Sequence, residues 1–244
     1  MIPENDALAG VVRRYAGLAT LGEQDRAAVA RLPLAVERRG AGDPLIGEGE
    51  APGRCCLLLD GVACRYKQAG PDGSGRQIVS FHFAGEILGV EHLLLHTADH
   101  SLAAVTKVRV GWTPVTEMRR LLAEHPAINA AIARGALIDA AIFREWVLNV
   151  GRREPTPRVA HLLAEFATRR GAAGLGAPED TPLPLSPDMI GDATGLSPVH
   201  VNRALRALAD RRAVVVQGGR VRVVDAAALR EAAAFDPAYL HLAA

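Results

Sequence analysis

An α+β architecture, β-rich in its first half and helical in its second, is predicted by three features of the sequence. Between Gly40 and Trp112, short apolar runs alternate with glycine-bearing turns, as in a small barrel or sandwich. From Pro126 to about Asn149, apolar residues recur at helical intervals over about 24 residues. Nearer the C-terminus, two Ser-Pro pairs stand eleven residues apart and are followed by two β-branched runs around Gly-Gly.

A chain of 244 residues exceeds a typical single domain, so two domains and a connector are expected. Nearly half of it is apolar, enough for sizeable cores. Net charge is only +1, so affinity for a polyanion must come from local clustering of charge. The N-terminus lacks a basic start followed by a long apolar run, which argues against a secretory signal. The most apolar long stretch, Ala127–Val150, carries Arg134, Asp139, Arg144 and Glu145, which argues against a membrane span. A cytoplasmic protein is expected. Cys55, Cys56 and Cys64 form neither a CxxC pair nor an even set, and are read as buried strand residues.

Taken in order, residues 7–32 read as helical through Leu8, Val11, Val12, Tyr15, Leu18, Leu21, Val29 and Leu32. Strand-like runs follow at Cys55–Leu59, Val62–Tyr66, Ile78–Phe83 and Leu102–Trp112, between turns at 40–43, 47–53, 60–61, 70–75 and 85–89. A short helix around Met118, Leu121 and Leu122 ends near Pro126. On the long helix, one stripe runs Ile128, Ala131, Gly135, Ile138, Ile142, Glu145, Asn149 in heptad-like steps, while Leu137, Phe143, Val147 and Leu148 face elsewhere. Two apolar faces need two covers: the chain's own barrel and a second copy, or else full burial within one subunit. Gly151, Pro155 and Pro157 then predict a hinge, residues 158–170 a helix, and 171–184 a loop.

Residues 185–212 are the most informative. At Ser186-Pro187 and at Ser197-Pro198 a serine can accept from a free first-turn N–H, and proline sits where no donor is needed. The first helix ends before Gly195, and the second runs to about Ala209. Two such helices around a glycine turn make a helix-turn-helix. Its second helix should turn Val201, Ala204, Leu205 and Leu208 inward and leave Val199, His200, Asn202, Arg203 and Arg206 outward. Between Pro198 and Arg222 six arginines (203, 206, 211, 212, 220, 222) oppose only Asp210, so the local balance is 6 − 1 = +5, suited to phosphate attraction. The runs 213–216 and 221–224 around Gly218-Gly219 complete a winged hairpin.

Residues 185–224 resemble the winged helix of the CRP/FNR family of bacterial transcription regulators. The barrel, long connector and hinge follow in that family's order, with Phe83-Ala84-Gly85-Glu86-Ile87-Leu88-Gly89 at its ligand loop. The resemblance implies a cyclic-nucleotide-binding-type jelly-roll sensor over residues 1–125, a dimerisation helix over 126–150 and a DNA-binding domain over 151–244. It places Arg203 at the guanine-reading position, where a guanidinium fork can donate to O6 and N7 together. Asn202 and His200 become candidates for base or phosphate contacts, and Ser197 and Ser186 for phosphates. Val199, Arg206 and Arg220 complete the expected DNA-facing set. The FNR-like pattern has glutamate where this chain has Val199, and serine where it has Asn202, so a different half-site is expected.

Cyclic-AMP binders of the family carry Gly-Glu and then Arg-Ser. This chain has Gly85-Glu86 and then His100-Ser101, and these four residues are its expected effector pocket. An imidazole beside Asp99 is a poor substitute for a guanidinium facing a cyclic phosphate, so a cyclic nucleotide is not expected. The N-terminal cysteine cluster of iron–sulfur members is absent, and the cofactor is left unassigned. His92, His96 and His100 could line one face if their stretch were helical and hold a metal or haem; they are read instead as surface-loop histidines with no metal site. His82 is read as an outward or satisfied strand residue. The expected partners are double-stranded DNA, a second copy of the chain and, for an activator, RNA polymerase. An enzyme on a cupin-like barrel and a protein-binding module are weaker readings, because the chain lacks a strand-borne His-x-His and its arginines cluster on the second helix.

Overall fold

The computed structural model describes residues 8–70, 75–176 and 181–242. The first predicted helix therefore begins, and the 70–75 turn and 171–184 loop partly lie, outside the described residues. Two compact units result: the chain up to Arg65 with Phe81–Asp139, and Tyr66–Ser80 with Ala140–Leu242.

The first unit opens with α1 (Ala9–Ala16) and α2 (Glu23–Ala30). The helical reading of 7–32 is corrected here, since the chain breaks between them. Gly17 ends α1, and the Gly22 N–H donates to Asp25 Oδ2 (2.9 Å) at the start of α2. Tyr15, Leu18, Leu21, Val29 and Leu32 are all buried, so the apolar spacing survives the break.

The strands are β1 (Ala35–Arg39), β2 (Pro44–Ile46), β3 (Arg54–Asp60), β4 (Val62–Gln68), β5 (Arg76–Phe83), β6 (Ile87–Leu88), β7 (Ser101–Ala104) and β8 (Val108–Pro114). They form two four-stranded sheets, ordered β1-β8-β3-β6 and β2-β7-β4-β5. Cys56, Leu58, Leu88, Leu102, Val110 and Trp112 lie in the shared core. The run Leu102–Trp112 is not one strand. It crosses from one sheet to the other at 105–107, where the Val105 N–H donates to Val62 O (2.8 Å) and the Val62 N–H donates to Thr106 Oγ1 (3.0 Å). Strand β1 escaped prediction because its sequence, AVERR, is that of a charged edge strand. Cys55, Cys56 and Cys64 are buried, unbridged strand residues as expected, and burial pushes the Cys55 and Cys56 thiols up to about 12.

After α3 (Val115–Glu124) comes the long α4 (Pro126–Arg152), which begins in the first unit and ends in the second. Its stripe Ile128, Ala131, Ile138, Ile142 and Asn149 is buried within this chain, together with Ile132 and Trp146. Leu137 (70% exposed), Phe143, Val147 and Leu148 face solvent. A Cβ at Gly135 would stand 3.5 Å from Leu18 Cδ1, an ordinary contact, so α4 packs on the segment after α1 without requiring glycine there. By length and composition α4 is apolar enough to cross a membrane. Its charges are nevertheless engaged inside the protein: Arg134 Nη1 donates to Leu18 O (3.1 Å), Asp139 pairs with Arg65, and Glu145 pairs with Arg153.

The expected hinge contracts to two residues, Arg153 and Glu154. Helix α4 continues through Gly151, and α5 (Pro155–Ala172) starts at Pro155. Pro155 and Pro157 fall in the first turn of α5, where a missing N–H costs nothing, so they start a helix rather than interrupt one. The winged region comprises α6 (Pro187–Thr194), α7 (Pro198–Asp210), β9 (Val214–Gln217), β10 (Arg220–Val223) and α8 (Ala226–Ala233). The tail ends in a 3-10 turn, Pro237–Leu240, with Phe235 and Leu240 buried.

Candidate nucleic-acid interface

Helix α6 starts as its sequence predicts: Ser186 Oγ accepts from the Met189 N–H (3.2 Å). It stops at Gly195, whose φ of +65° is the left-handed conformation that glycine adopts without strain. Gly191 permits the close approach of the next segment, because a Cβ there would lie 2.9 Å from Leu196 O. At the second helix start the capping expectation fails. Ser197 makes no side-chain bond to the backbone of α7; its Oγ lies 2.9 Å from His200 Nδ1 instead. The hydroxyl is drawn to a ring one turn ahead, and that turn's free N–H groups keep their outward aim.

Helix α7 buries Val201, Ala204, Leu205 and Leu208, each at 2% exposure or less. This inward row anchors the opposite face. Val199 (65% exposed), His200, Asn202, Arg203 and Arg206 all stand in solvent. Behind α7, β9 and β10 pair in the register Gln217 with Arg220 and Val214 with Val223. Gly218 and Gly219, at φ +57° and +73°, supply the two left-handed residues of a tight hairpin turn. The Leu183 N–H donates to Val221 O (2.7 Å) and lays a third segment along the wing. Asn202 and Arg206 share an open groove with Val214, Val215 and Val216. Arg203, Arg206, Arg211, Arg212 and Arg220 are exposed, while Arg222 is half-buried. The face therefore combines a protruding helix, a protruding hairpin and a surplus of permanent positive charge.

Sequence reasoning missed the side chains that fix this face. Arg158 Nη1 donates to Thr194 O at the end of α6 (3.1 Å), and its Nε and Nη2 both donate to Arg153 O. Arg76 Nε pairs with Asp192 (2.7 Å), and Gln77 Nε2 donates to Ala193 O (3.2 Å). Buried Glu165 accepts from Trp146 Nε1 (3.0 Å) and from the Tyr239 hydroxyl (2.7 Å), so one carboxylate joins α4, α5 and the tail. Partners separated by 116 residues, as Arg76 and Asp192 are, leave no local signature.

In the barrel, each residue read as part of an effector pocket has its own neighbours. Gly85 sits at φ +96° where α1 passes, and a Cβ would stand 3.0 Å from Gly10 O. Glu86 lies with His82 (Nδ1 to Oε2, 2.8 Å) and with Arg14 (3.7 Å). Ser101 Oγ accepts from the Glu48 N–H (3.0 Å). His100 Nδ1 lies 2.6 Å from Asp99 Oδ1, and its Nε2 lies 3.0 Å from Arg65 Nε and 3.1 Å from Glu91 Oε1. Arg65 Nη1 also reaches Asp139 Oδ2 on α4 (2.7 Å). Burial raises the Glu91 carboxyl, but the adjoining His100 ring and the Arg65 charge outweigh it and hold it at about 2. The reading of these histidines as surface residues is corrected. His96 is exposed, but His92 and His100 are buried, because the 3-10 turn Val90–Leu93 folds inward. Among the described residues no cluster of metal-ligating side chains forms.

Residues 36–125 match the cyclic nucleotide-binding domain family, and residues 157–232 match the Crp-like helix-turn-helix domain family. The chain is 30% identical over 196 residues to the nitrogen fixation regulation protein FixK of Bradyrhizobium diazoefficiens, with 80% of each chain covered. It is 28% identical over 216 residues to the transcriptional activatory protein AadR of Rhodopseudomonas palustris, covering 88% of this chain and 87% of that one. The solved structure of FixK2 from Bradyrhizobium japonicum superposes with a TM-score of 0.71 at 22% identity, over 84% of this chain and 100% of that one.

Proposed function

The chain belongs to the CRP/FNR family of DNA-binding transcription regulators, and from that premise we propose that it binds a near-palindromic operator as a homodimer, each copy inserting α7 into a major groove. The observation that carries this reading is the two-faced α7: four apolar side chains fix it while Val199, His200, Asn202, Arg203 and Arg206 project outward. Arg203 reads guanine, worth about 1–3 kcal/mol against a wrong base. Asn202 and His200 make further base or phosphate contacts, and Val199 offers apolar surface to a thymine methyl. Arg206, Arg220, Ser197 and Ser186 hold the phosphates.

The exposed row on α4, Leu137, Phe143, Val147 and Leu148, supplies the seam between copies and supports residues 126–150 as the dimerisation element. Residues 1–125 serve as the sensor and 151–244 as the DNA-binding domain. An anionic cyclic phosphate does not fit beside His100. It would meet Glu91 and Asp99 on the His100 ring and Asp139 already paired with Arg65. Control therefore comes from another effector or from the abundance of the protein, and an activator of this kind would also touch RNA polymerase. The reading needs no catalysis, and its place of action is the cytoplasm.

Selection from random duplexes tests the proposal. The expected product is a two-fold sequence whose half-sites lie about one helical turn apart. Arg203→Ala should enrich a sequence in which the position it reads is relaxed, while circular dichroism stays unchanged. Enrichment of no sequence, or of the same sequence by the variant, overturns it.

A further inference from the structure

The contacts of His100 cannot all be made at once. Nδ1 lies 2.6 Å from Asp99 Oδ1, a carboxylate oxygen that can only accept, so Nδ1 carries a proton. Nε2 lies 3.0 Å from Arg65 Nε, which can only donate, and 3.1 Å from Glu91 Oε1, which can only accept. A neutral ring accepts from Arg65 and leaves Glu91 Oε1 unserved; that oxygen is among the buried atoms with no hydrogen-bond partner. A ring with a second proton donates to Glu91 and opposes the Arg65 charge. The two bonding patterns exclude each other, and one proton separates them.

We propose that His100 is a proton-operated switch that exchanges Arg65 for Glu91 as the partner of its Nε2. When the ring gains the proton, Arg65 loses its acceptor there and keeps its bond to Asp139 of α4. The switch thus bears on the ion pair that joins β4 to the long helix. Every charged or titratable group facing His100 enters the exchange: Arg65 from β4, Glu91 and His92 from the 3-10 turn, Asp99 beside it and Asp139 from α4. His92 does not compete for the proton, since burial leaves both its nitrogens unpartnered and lowers its affinity for protons.

The effect on operators rests on the reading of the barrel as a sensor for α7, and two measurements on the full-length protein separate the parts. Nitrogen-15 NMR follows the His100 ring and Arg65 Nε between pH 5 and 8. Both signals should move with one midpoint in the wild type, and the Arg65 signal should become pH-independent in His100→Gln. An Arg65 signal indifferent to His100 overturns the switch, whatever the DNA does. Fluorescence anisotropy then compares affinity for the selected operator at pH 6 and pH 8. The wild-type pH ratio should differ from that of His100→Gln by at least about fivefold. His200 and the other histidines are common to both proteins and cancel. Equal ratios overturn the regulatory role. Binding to no duplex at either pH overturns the DNA-regulator reading, and the NMR titration still decides the proton exchange.

Discussion

At the scale of single residues, Arg203 and Arg220 divide the work of recognition in the operator complex we propose. Both are exposed and permanently charged, but one projects from α7 and the other from the wing. Arg203→Ala should remove discrimination at one base pair, a loss of about 1–3 kcal/mol seen only on the selected sequence. Arg220→Ala should weaken binding to all duplexes alike and lower the salt slope by about one, as loss of a phosphate contact does. Titrating both variants on specific and scrambled duplexes across salt distinguishes them. His161 is a residue of another kind, 1% exposed, stacked on Tyr239, edge-on to Phe235 and with its Nε2 3.3 Å from Glu145 Oε1. Burial first, and the nearby Arg153 charge second, lower it from 6.5 to about 3. Between those values the unfolded chain takes up a proton that the folded chain refuses. Stability therefore falls as pH drops through this window, by up to about 1.4 kcal/mol per pH unit. Thermal unfolding of His161→Gln should fall less steeply between pH 6.5 and 4.5 than that of the wild type.

At the scale of elements, the helix-turn-helix depends on a close approach as much as on its apolar faces. A methyl at Gly191 would press on the backbone oxygen of Leu196, which no rotamer change relieves. Gly191→Ala should destabilise the protein by about 1–3 kcal/mol, read as a lower Tm, with operator affinity falling in parallel. The exposed face of α4 makes a separate prediction. Phe143 and Val147, at 51% and 56% exposure, occupy neighbouring turns. Glutamates at both positions should leave helical content unchanged while sedimentation reports a monomer. Dimers that persist in the double variant would remove α4 as the seam.

At the scale of the whole molecule, the electrostatic design is local. A net charge of +1 gives no general attraction to DNA, whereas the segment from Pro198 to Arg222 holds six arginines against one acid. Acids gather instead in the barrel, where Glu91, Asp99 and Asp139 surround His100 and Arg65. Operator affinity should consequently fall steeply with salt while Tm changes little over the same range, since the barrel pairs are part-buried and the α7 arginines are exposed. Parallel anisotropy and melting experiments from about 50 to 200 mM salt check this expectation.

Much of the winged region could be read from the sequence because its determinants act over a few residues. Ser186 caps α6, Gly195 ends it, Gly218 and Gly219 turn the wing, and the spacing of Val201, Ala204, Leu205 and Leu208 sets the buried face of α7. The length of α4 followed from the same kind of periodicity. Which of its apolar stripes the chain itself covers did not, because periodicity shows that a face is apolar without naming its cover. Nor did the sequence show that Ser197 would turn to His200, that Glu86 would pair with His82, or that Arg65 would meet Asp139 across 74 residues. Local hydrogen bonds and side-chain spacing are written in neighbouring letters. The partner of a buried charge is decided only when distant strands and helices are packed together.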